Sequence, residues 1–356
     1  MRWCKINIKI SVYKMTFILL CGGLGYIGSH IVIECINNGY TPIIIDNFYN
    51  CTKNKLDILN TLLDVTLIFY ECDLSNKENF NSVLSKIYTE HSIDTIIHLA
   101  SYKAVSESNA KPLMYYKNNL TISLNILELM KKYTIKNLVF SSSATVYSQP
   151  LHVPILETHS VGSNLSSVYG KTKYYIEQII QDFYAANINT DWNINCVILR
   201  YFNPIGNHFS GVIGDSPVGI PNNLLPYIQK VITGELSELK IFGNTYNTLD
   251  GTAERDYIHV LDLANAHIKS IEYLNNQTNT VLEIFNIGSG KQYSVLQILT
   301  HMEETFERKI PFSISDKREG DVDSVYADAS KANIMLNWKP RYNLKDMCHS
   351  ILKFIQ

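Results

Sequence analysis

Residues 17–28 read FILLCGGLGYIG, and this stretch decides the fold. Phe17-Ile18-Leu19-Leu20 is an uninterrupted apolar run, the pattern of a strand covered on both faces. Gly22, Gly23, Gly25 and Gly28 follow at once, and Ile27, Ile31 and Cys35 then recur at helical spacing. Strand, glycine turn and helix in that order is the setting a dinucleotide fingerprint requires. One glycine makes the tight turn, one admits a pyrophosphate to the backbone, and one lets the helix close on the sheet. The helix N-terminus offers that anion unpaired N–H groups and the positive end of its dipole. Downstream, Thr41–Ile45 reads as a second buried strand ending in Asp46, about 20 residues past the turn. A carboxylate there accepts from ribose hydroxyls and repels a 2′-phosphate, so the expected cofactor is NAD rather than NADP.

The same alternation continues toward the C-terminus. Leu67–Tyr70, Thr95–Ala100, Asn137–Phe140 and Cys196–Leu199 read as further strands, separated by helical patterns at Ser75–Ile87, about Lys111–Lys132 and after Tyr169. Such alternation with short connections implies an α/β protein built on a Rossmann-type doubly wound parallel sheet. Asp73 reads either as an adenine contact or as a helix N-cap. His98 reads as a core histidine, and Asn118 and Asn119 stand mid-helix, where asparagine is a poor former, so one of them is expected to serve a ligand. Past Asn203 the texture turns to loops carrying Gly206, Gly211, Gly214, Pro217, Pro221 and Pro226. The expected division is 15–203 for the NAD-binding domain and 204–356 for a smaller C-terminal α/β substrate domain, with part of about 250–290 returning to the sheet. Residues 1–14, with alternating Ile6, Ile8, Ile10 and Val12, are expected to lie outside the fold, Met15 being a plausible start.

Composition narrows the function. A hydrophobic content of 46%, a charged content of 18% and a net charge of −2 suit a globular enzyme and give no reason to expect nucleic acid or an anionic membrane as partner. Seven scattered cysteines without a CxxC pair argue against zinc or redox motifs and for reduced thiols in the cytoplasm; no metal is expected. The apolar run after Met15 is too short to span a bilayer.

The chemistry is carried by Tyr169 and Lys173, four residues apart on one helical face. A free phenol titrates near ~10, and a neighbouring ammonium group together with a positive nicotinamide ring favours the phenolate. Tyr169 then accepts a proton from a substrate hydroxyl while the same carbon is oxidised. Ser143, placed just past the fifth strand, holds that oxygen.

The chain resembles the UDP-glucose 4-epimerases, a branch of the extended short-chain dehydrogenase/reductase family, from Met15 nearly to its end. The likeness rests on GGLGYIGSH, IIIDN, KAVSES, SSSATVY, YGKTK, RYFNPIG, GIPNNLLPYI, IFGN, DGTAERDYIHV and REGD. It implies an NAD-dependent isomerase of galactose metabolism that interconverts UDP-glucose and UDP-galactose by transient oxidation at sugar C4. On the cofactor, it implies Gly22, Gly25, Tyr26, Ile27 and Gly28 at the pyrophosphate, Asp46 and Asn47 at the adenosine ribose, and Asp73 and Leu74 near adenine. Leu99, Ala100, Lys103, Asn118 and Phe202 would complete that site with Tyr169 and Lys173. On the substrate, it implies Asn203, Asn223, Leu224, Ile241 and Phe242 along the sugar nucleotide. Arg255 and Arg318 would clamp the diphosphate, as planar guanidinium groups do, with Asp321 on the uridine ribose. It also implies a homodimer paired through the helices around Lys111–Lys132 and Ser167–Tyr184.

The departures from the family pattern are few. Cys21 replaces a usual threonine, and Ser101 and Ser148 stand where glycine is common. Val325 occupies a position where a larger residue limits space at the sugar's 2-substituent, so turnover of UDP-GlcNAc and UDP-GalNAc is an added expectation. A 4,6-dehydratase on the same scaffold needs an acid beside the catalytic hydroxyl, and Ala144 and Thr145 offer none. A non-catalytic NAD-binding regulator would be expected to lack Tyr169 or Lys173, and both are present.

Overall fold

The computed structural model describes residues 16–355 except 148, 151, 191, 218–220, 222 and 319–320; the expectations for 1–14, Met15 and Ser148 fall outside the described residues. The first half alternates strictly: β1 (Phe17–Cys21), α1 (Tyr26–Asn37), β2 (Thr41–Asp46), α2 (Lys55–Leu63), β3 (Ile68–Glu71), α3 (Lys77–Glu90) and β4 (Ile93–His98). Next come α4 (Val105–Ala110), α5 (Pro112–Lys132), β5 (Asn137–Ser143), α6 (Val168–Asn187) and β6 (Asn195–Tyr201). The remainder mixes short strands with helices: β7 (Asn203–Ile205), α7 (Leu224–Ile232), β8 (Leu239–Phe242), β9 (Glu254–His259), α8 (Val260–Asn275) and β10 (Leu282–Ile287). The last elements are β11 (Gln292–Ser294), α9 (Val295–Phe306), β12 (Phe312–Ser315), β13 (Ser324–Val325), α10 (Ser330–Leu336) and α11 (Leu344–Ile355).

Seven strands form one parallel sheet in the order β10-β6-β5-β4-β1-β2-β3. Alternate residues of β1 feed opposite cores. Ile18 and Leu20 join the layer under α1, α2 and α8, while Phe17, Leu19 and Cys21 join the layer under α3, α5 and α6. That two-sided burial is why the strand reads as a continuous apolar run. Strand order reverses at β1, with β2 on one side and β4 on the other. In such sheets the crevice at this switch point, beyond the strands' C-terminal ends, is where ligands bind.

The second half builds its own core from α7, α9 and α11 around Ile228, Met302 and Ile351. β9 pairs in parallel with β7 and β13 and antiparallel with β11, and β8 pairs in parallel with β12. After α8, β10 crosses back to the large sheet beside β6.

Several boundaries differ from expectation by a few residues, and three of the differences have clear local reasons. The long helix begins at Pro112, which suits a first helical position, and α4 forms a separate turn before it. The helix expected at Ser75 starts at Lys77, because the Asn76 side chain accepts from the Asn79 N–H at 3.0 Å and caps it. Ser143 lies inside β5, as its last residue, because pairing with β6 continues as far as Ser143 opposite Tyr201.

Candidate active site

The glycine turn divides its labour as the fingerprint requires. Gly22 takes a φ of +87°, and a Cβ there would lie 2.9 Å from the Ala100 nitrogen. At Gly28 a Cβ would sit 2.3 Å from the Gly22 carbonyl oxygen, so helix and turn close on each other only through glycine. At Gly25 the nearest atom to a Cβ is 3.6 Å away: this residue needs no space from the protein, and its open side belongs to the cleft. Gly25 is also the N-cap of α1 and offers no capping side chain, leaving the first-turn N–H groups for an anion.

Around this turn runs a cleft of about 1020 Å³, open mouth included. Gly22, Gly25, Tyr26, Ile27, Gly28, Asp46, Asn47, Asp73, Leu74, Leu99, Ala100, Lys103, Asn118, Tyr169 and Lys173 all line it. Phe202 does not. Its ring packs with Val146, Tyr147, Ile155 and Ala327, and its N–H donates to the Ile287 carbonyl at 3.1 Å. The Asp46 carboxylate accepts from the Leu24 N–H at 3.0 Å and the Phe48 N–H at 2.9 Å, which fixes it at the end of β2 facing the cleft. Open glycine, uncapped helix and fixed carboxylate fit the pyrophosphate and adenosine ribose of NAD.

The paired asparagines separate by role. Asn119 is fully buried and bonds the Tyr102 N–H, the Tyr102 carbonyl and the Thr172 hydroxyl, so it shapes the wall. Asn118 lines the cleft beside it. Asp73 lines the cleft while its carboxylate accepts from the Ser75 N–H and hydroxyl. His98 is a core residue, bonded to the Ser123 hydroxyl at 2.8 Å, and burial pushes it down to about 3.

Tyr169 and Lys173 occupy the first turns of α6, which Ser167 caps by accepting from the Gly170 N–H at 3.0 Å. The Ser143 hydroxyl oxygen accepts from the Thr145 N–H at 3.2 Å and the Thr145 hydroxyl at 2.9 Å. Its own proton is therefore free, and Ser143 is the neighbour that favours the Tyr169 phenolate. Burial pushes the Tyr169 phenol up to about 12, against the pull of that serine. Burial likewise pulls Lys173 down to about 7, with Glu177 opposing. The Lys173 ammonium donates to the Ser141 carbonyl at 2.6 Å and stands 5.9 Å from the centre of the Tyr169 ring. In the protein alone, then, the serine rather than the lysine favours the phenolate; the lysine is committed to the strand end beneath.

The residues expected at the sugar nucleotide lie on or beside β7, α7, β8, β9 and β13, with Arg318 and Asp321 in the segment before β13. Val325 pairs with Arg255 across β13 and β9. Arg255 forms an ion pair with Asp321 rather than with neighbouring Asp256, and the Tyr246 hydroxyl donates to the other Asp321 oxygen at 3.1 Å. The Arg318 guanidinium lies 4.0 Å over the Phe242 ring. Asn203 donates to the Asp256 carbonyl at 2.9 Å. Asn223 is the exposed N-cap of α7 and Leu224 its first residue. The Ile241 side chain sits in the second core at 1% exposure, so only its backbone is left for a ligand.

The sequence pattern of the NAD dependent epimerase/dehydratase family matches residues 18–288. The chain belongs to that family. It is 44% identical over 339 residues to the UDP-glucose 4-epimerase of Caenorhabditis elegans, covering 93% of this chain and 95% of that protein. It is 43% identical over 343 residues to the human UDP-glucose 4-epimerase, covering 95% of each. The crystal structure of UDP-glucose 4-epimerase from Bifidobacterium longum, in complex with NAD+ and UDP, superposes with a TM-score of 0.88 at 40% identity, covering 95% of this chain and 98% of that one.

Within this epimerase/dehydratase scaffold, sequence reasoning passed over several cleft residues. Tyr201 ends β6 in register with Ser143 and lines the cleft; its hydroxyl bonds Ser141 at 2.7 Å and also His267. Its place as the last residue of the sixth strand was the available signal. Tyr49 and Tyr102, with ring centres 4.4 Å apart, and Cys51 also line the cleft. They sit in loops with no pattern of their own. Tyr246 is 4% exposed and meets Asp321 from 75 positions away, a distance no local spacing reveals.

Proposed function

We propose that this protein interconverts UDP-glucose and UDP-galactose, an isomerisation in galactose and nucleotide-sugar metabolism that passes through transient oxidation at sugar C4. The observation that carries the reading is Tyr169 on the wall of an NAD-shaped cleft, with Lys173 one helical turn further on and Ser143 favouring its phenolate. When bound, NAD supplies a reversible acceptor for the hydrogen on C4. Tyr169 takes the proton of the 4-hydroxyl and later returns it, while Ser143 keeps that oxygen in place. Lys173 anchors the strand end and adds positive charge beneath the phenol. Arg255 and Arg318 grip the diphosphate, and Asp321 accepts from the uridine ribose, so the sugar can turn while UDP stays. Asn203, Asn223, Leu224, Phe242 and the Ile241 backbone line the rest of the nucleotide path. We assign 15–203 to NAD binding and 204–356 to UDP-sugar binding, with β10 returned to the large sheet.

The test is NMR of UDP-galactose incubated with the purified protein and no added cofactor. UDP-glucose signals should grow at unchanged substrate mass. A product lighter by water or carbon dioxide, or no turnover by NAD-loaded protein, overturns the reading.

Three finer assignments belong to the same proposal. Val325 is half-buried, and its small side chain leaves room for an N-acetyl group, so UDP-GlcNAc and UDP-GalNAc should also interconvert. Leu113, Leu124 and Tyr175 are exposed on α5 and α6, a surface suited to a second copy of the chain; light scattering of the purified protein should give a dimer mass. The described cysteines are free and buried, as befits a cytoplasmic protein, and among the described residues no helix is long and apolar enough to cross a membrane.

A further inference from the structure

Beneath the catalytic residues lies a charged network that the reaction scheme does not use. Tyr169, Lys173 and Glu177 follow one another at single-turn spacing on α6. Lys173 holds the Ser141 carbonyl, and the Glu177 carboxylate accepts from the Ser142 hydroxyl, so two successive turns of helix grip two successive residues of β5. The next residue of that strand is Ser143. From β6, Arg200 meets Glu177 with Nε at 3.1 Å and Nη2 at 2.7 Å. Its Nη1 donates to the Tyr147 hydroxyl at 3.0 Å and the Glu157 carbonyl at 3.2 Å, and Tyr147 donates to Asn286 at 2.6 Å. Glu177 is 0% and Arg200 3% exposed by side chain. A buried ion pair is no better than packed apolar residues for stability alone, since desolvation offsets its attraction. Its position beside the active site gives it another use.

We propose that Glu177, fixed by Arg200, is a positioning residue for the isomerisation: it sets the strand end that presents Ser143 and places a buried carboxylate one helical turn from Lys173. The inference rests on the function proposed above. The groups facing Lys173 support it. Tyr169 and Glu177 lie on its own helix. β4 contributes His98, whose titration near 3 leaves it neutral, and β5 contributes the Ser141 carbonyl and the Phe140 ring 4.9 Å away. β6 contributes Arg200, engaged by Glu177, and Tyr201, bonded to Ser141. Among these, Glu177 is the carboxylate that offsets the burial of the lysine.

The experiment compares kcat for UDP-galactose across pH 6–9 in the wild type, in Glu177→Gln, and in Glu177→Gln with Arg200→Met, which removes both charges. Bound NAD and melting temperature serve as controls for folding. Losing the carboxylate should move the lysine's titration at least about one unit lower, so the deficit in kcat should widen with rising pH to tenfold or more at pH 8. A loss uniform across pH, or an unshifted profile in a folded variant, overturns the proposal. Wild-type protein that fails to interconvert the UDP-sugars would instead overturn the function beneath it. Should neither variant fold, the ¹³Cε shift of Lys173 in wild-type protein decides. Isolated buried lysines titrate at about 5–6, so a midpoint above 6 supports the counter-charge and one below 6 refutes it.

Discussion

The wall of the NAD cleft and the wall proposed above to face UDP are made of different material. On the NAD side, backbone turns at the C-terminal ends of β1, β2 and β4 form the surface, and the key side chain, Asp46, is held by an N–H only 22 positions away. On the UDP side, side chains pair between distant segments: Arg255 with Asp321 across 66 positions and Tyr246 with Asp321 across 75. A wall of turns is specified locally and survives most side-chain changes, whereas a wall of paired side chains exists only once the short strands β8, β9, β12 and β13 have assembled. The two should therefore fail differently when cut.

The largest effect is expected where the walls meet. Tyr169→Phe with Ser143→Ala removes the proposed acid–base group and the hydroxyl proposed to hold the reacting oxygen, yet leaves both walls standing. Conversion of UDP-galactose should fall by about 10³-fold or more, while the purified protein keeps its NAD. Wild-type speed in that double variant would remove the junction from the chemistry altogether.

Next come the glycines of the turn, which separate folding from binding within one motif. Gly25→Ala meets no protein atom closer than 3.6 Å, so the melting temperature should hold while bound NAD, read by absorbance after purification, is largely lost. Gly22→Ala pays a left-handed penalty of about 1–2 kcal/mol before its overlap with Ala100 is counted, and should lose stability as well. Equal behaviour of the two variants would mean that Gly25 faces protein, not cofactor.

On the UDP wall, Asp321→Asn or Arg255→Met removes one half of an ion pair that is partly open to solvent. A charge-assisted contact is worth about 1.5–3 kcal/mol, so KM for the UDP-sugar should rise roughly ten- to a hundredfold, with kcat at saturation little changed. NAD content should not move. A drop in kcat without a change in KM would show that these residues act on the sugar and not on the nucleotide.

The same contrast explains what could be read from the chain before its structure. The sheet was legible because each strand buried on both faces is an apolar run, and the fingerprint was legible because its glycines answer local steric demands. Tyr169 and Lys173 share a helix face, so spacing alone joined them. Ser143 needed only the end of a strand, although pairing with β6 carries β5 three residues further than the pattern suggested, to Ser143 itself. Arg255 and Arg318 were reached through resemblance alone. Arg255 stands next to Asp256 and Arg318 next to Lys317 in sequence, yet the structure pairs Arg255 with Asp321 and lays Arg318 over the Phe242 ring. Tyr246, Tyr201 and the Glu177–Arg200 pair went unread because each acquires its partner through topology.

The smallest effect asks whether the two halves melt as one. His98 ends β4 in the large sheet, and His259 ends β9, where its Nδ1 caps α8 by accepting from the Leu261 N–H at 3.1 Å. Burial pushes both down to about 3. The folded state therefore resists protonation that the unfolded chain accepts at about 6.5. Stability from each is present above the unfolded value and is lost as pH falls from about 6.5 toward 3. Within that window His98→Gln and His259→Gln should each flatten the slope of unfolding free energy against pH by about 1.4 kcal/mol per unit, measured by urea denaturation at several pH values. If the halves unfold together, both variants flatten one shared transition. Two transitions, each flattened by only one of the variants, would show that the UDP wall opens on its own while the NAD wall remains folded.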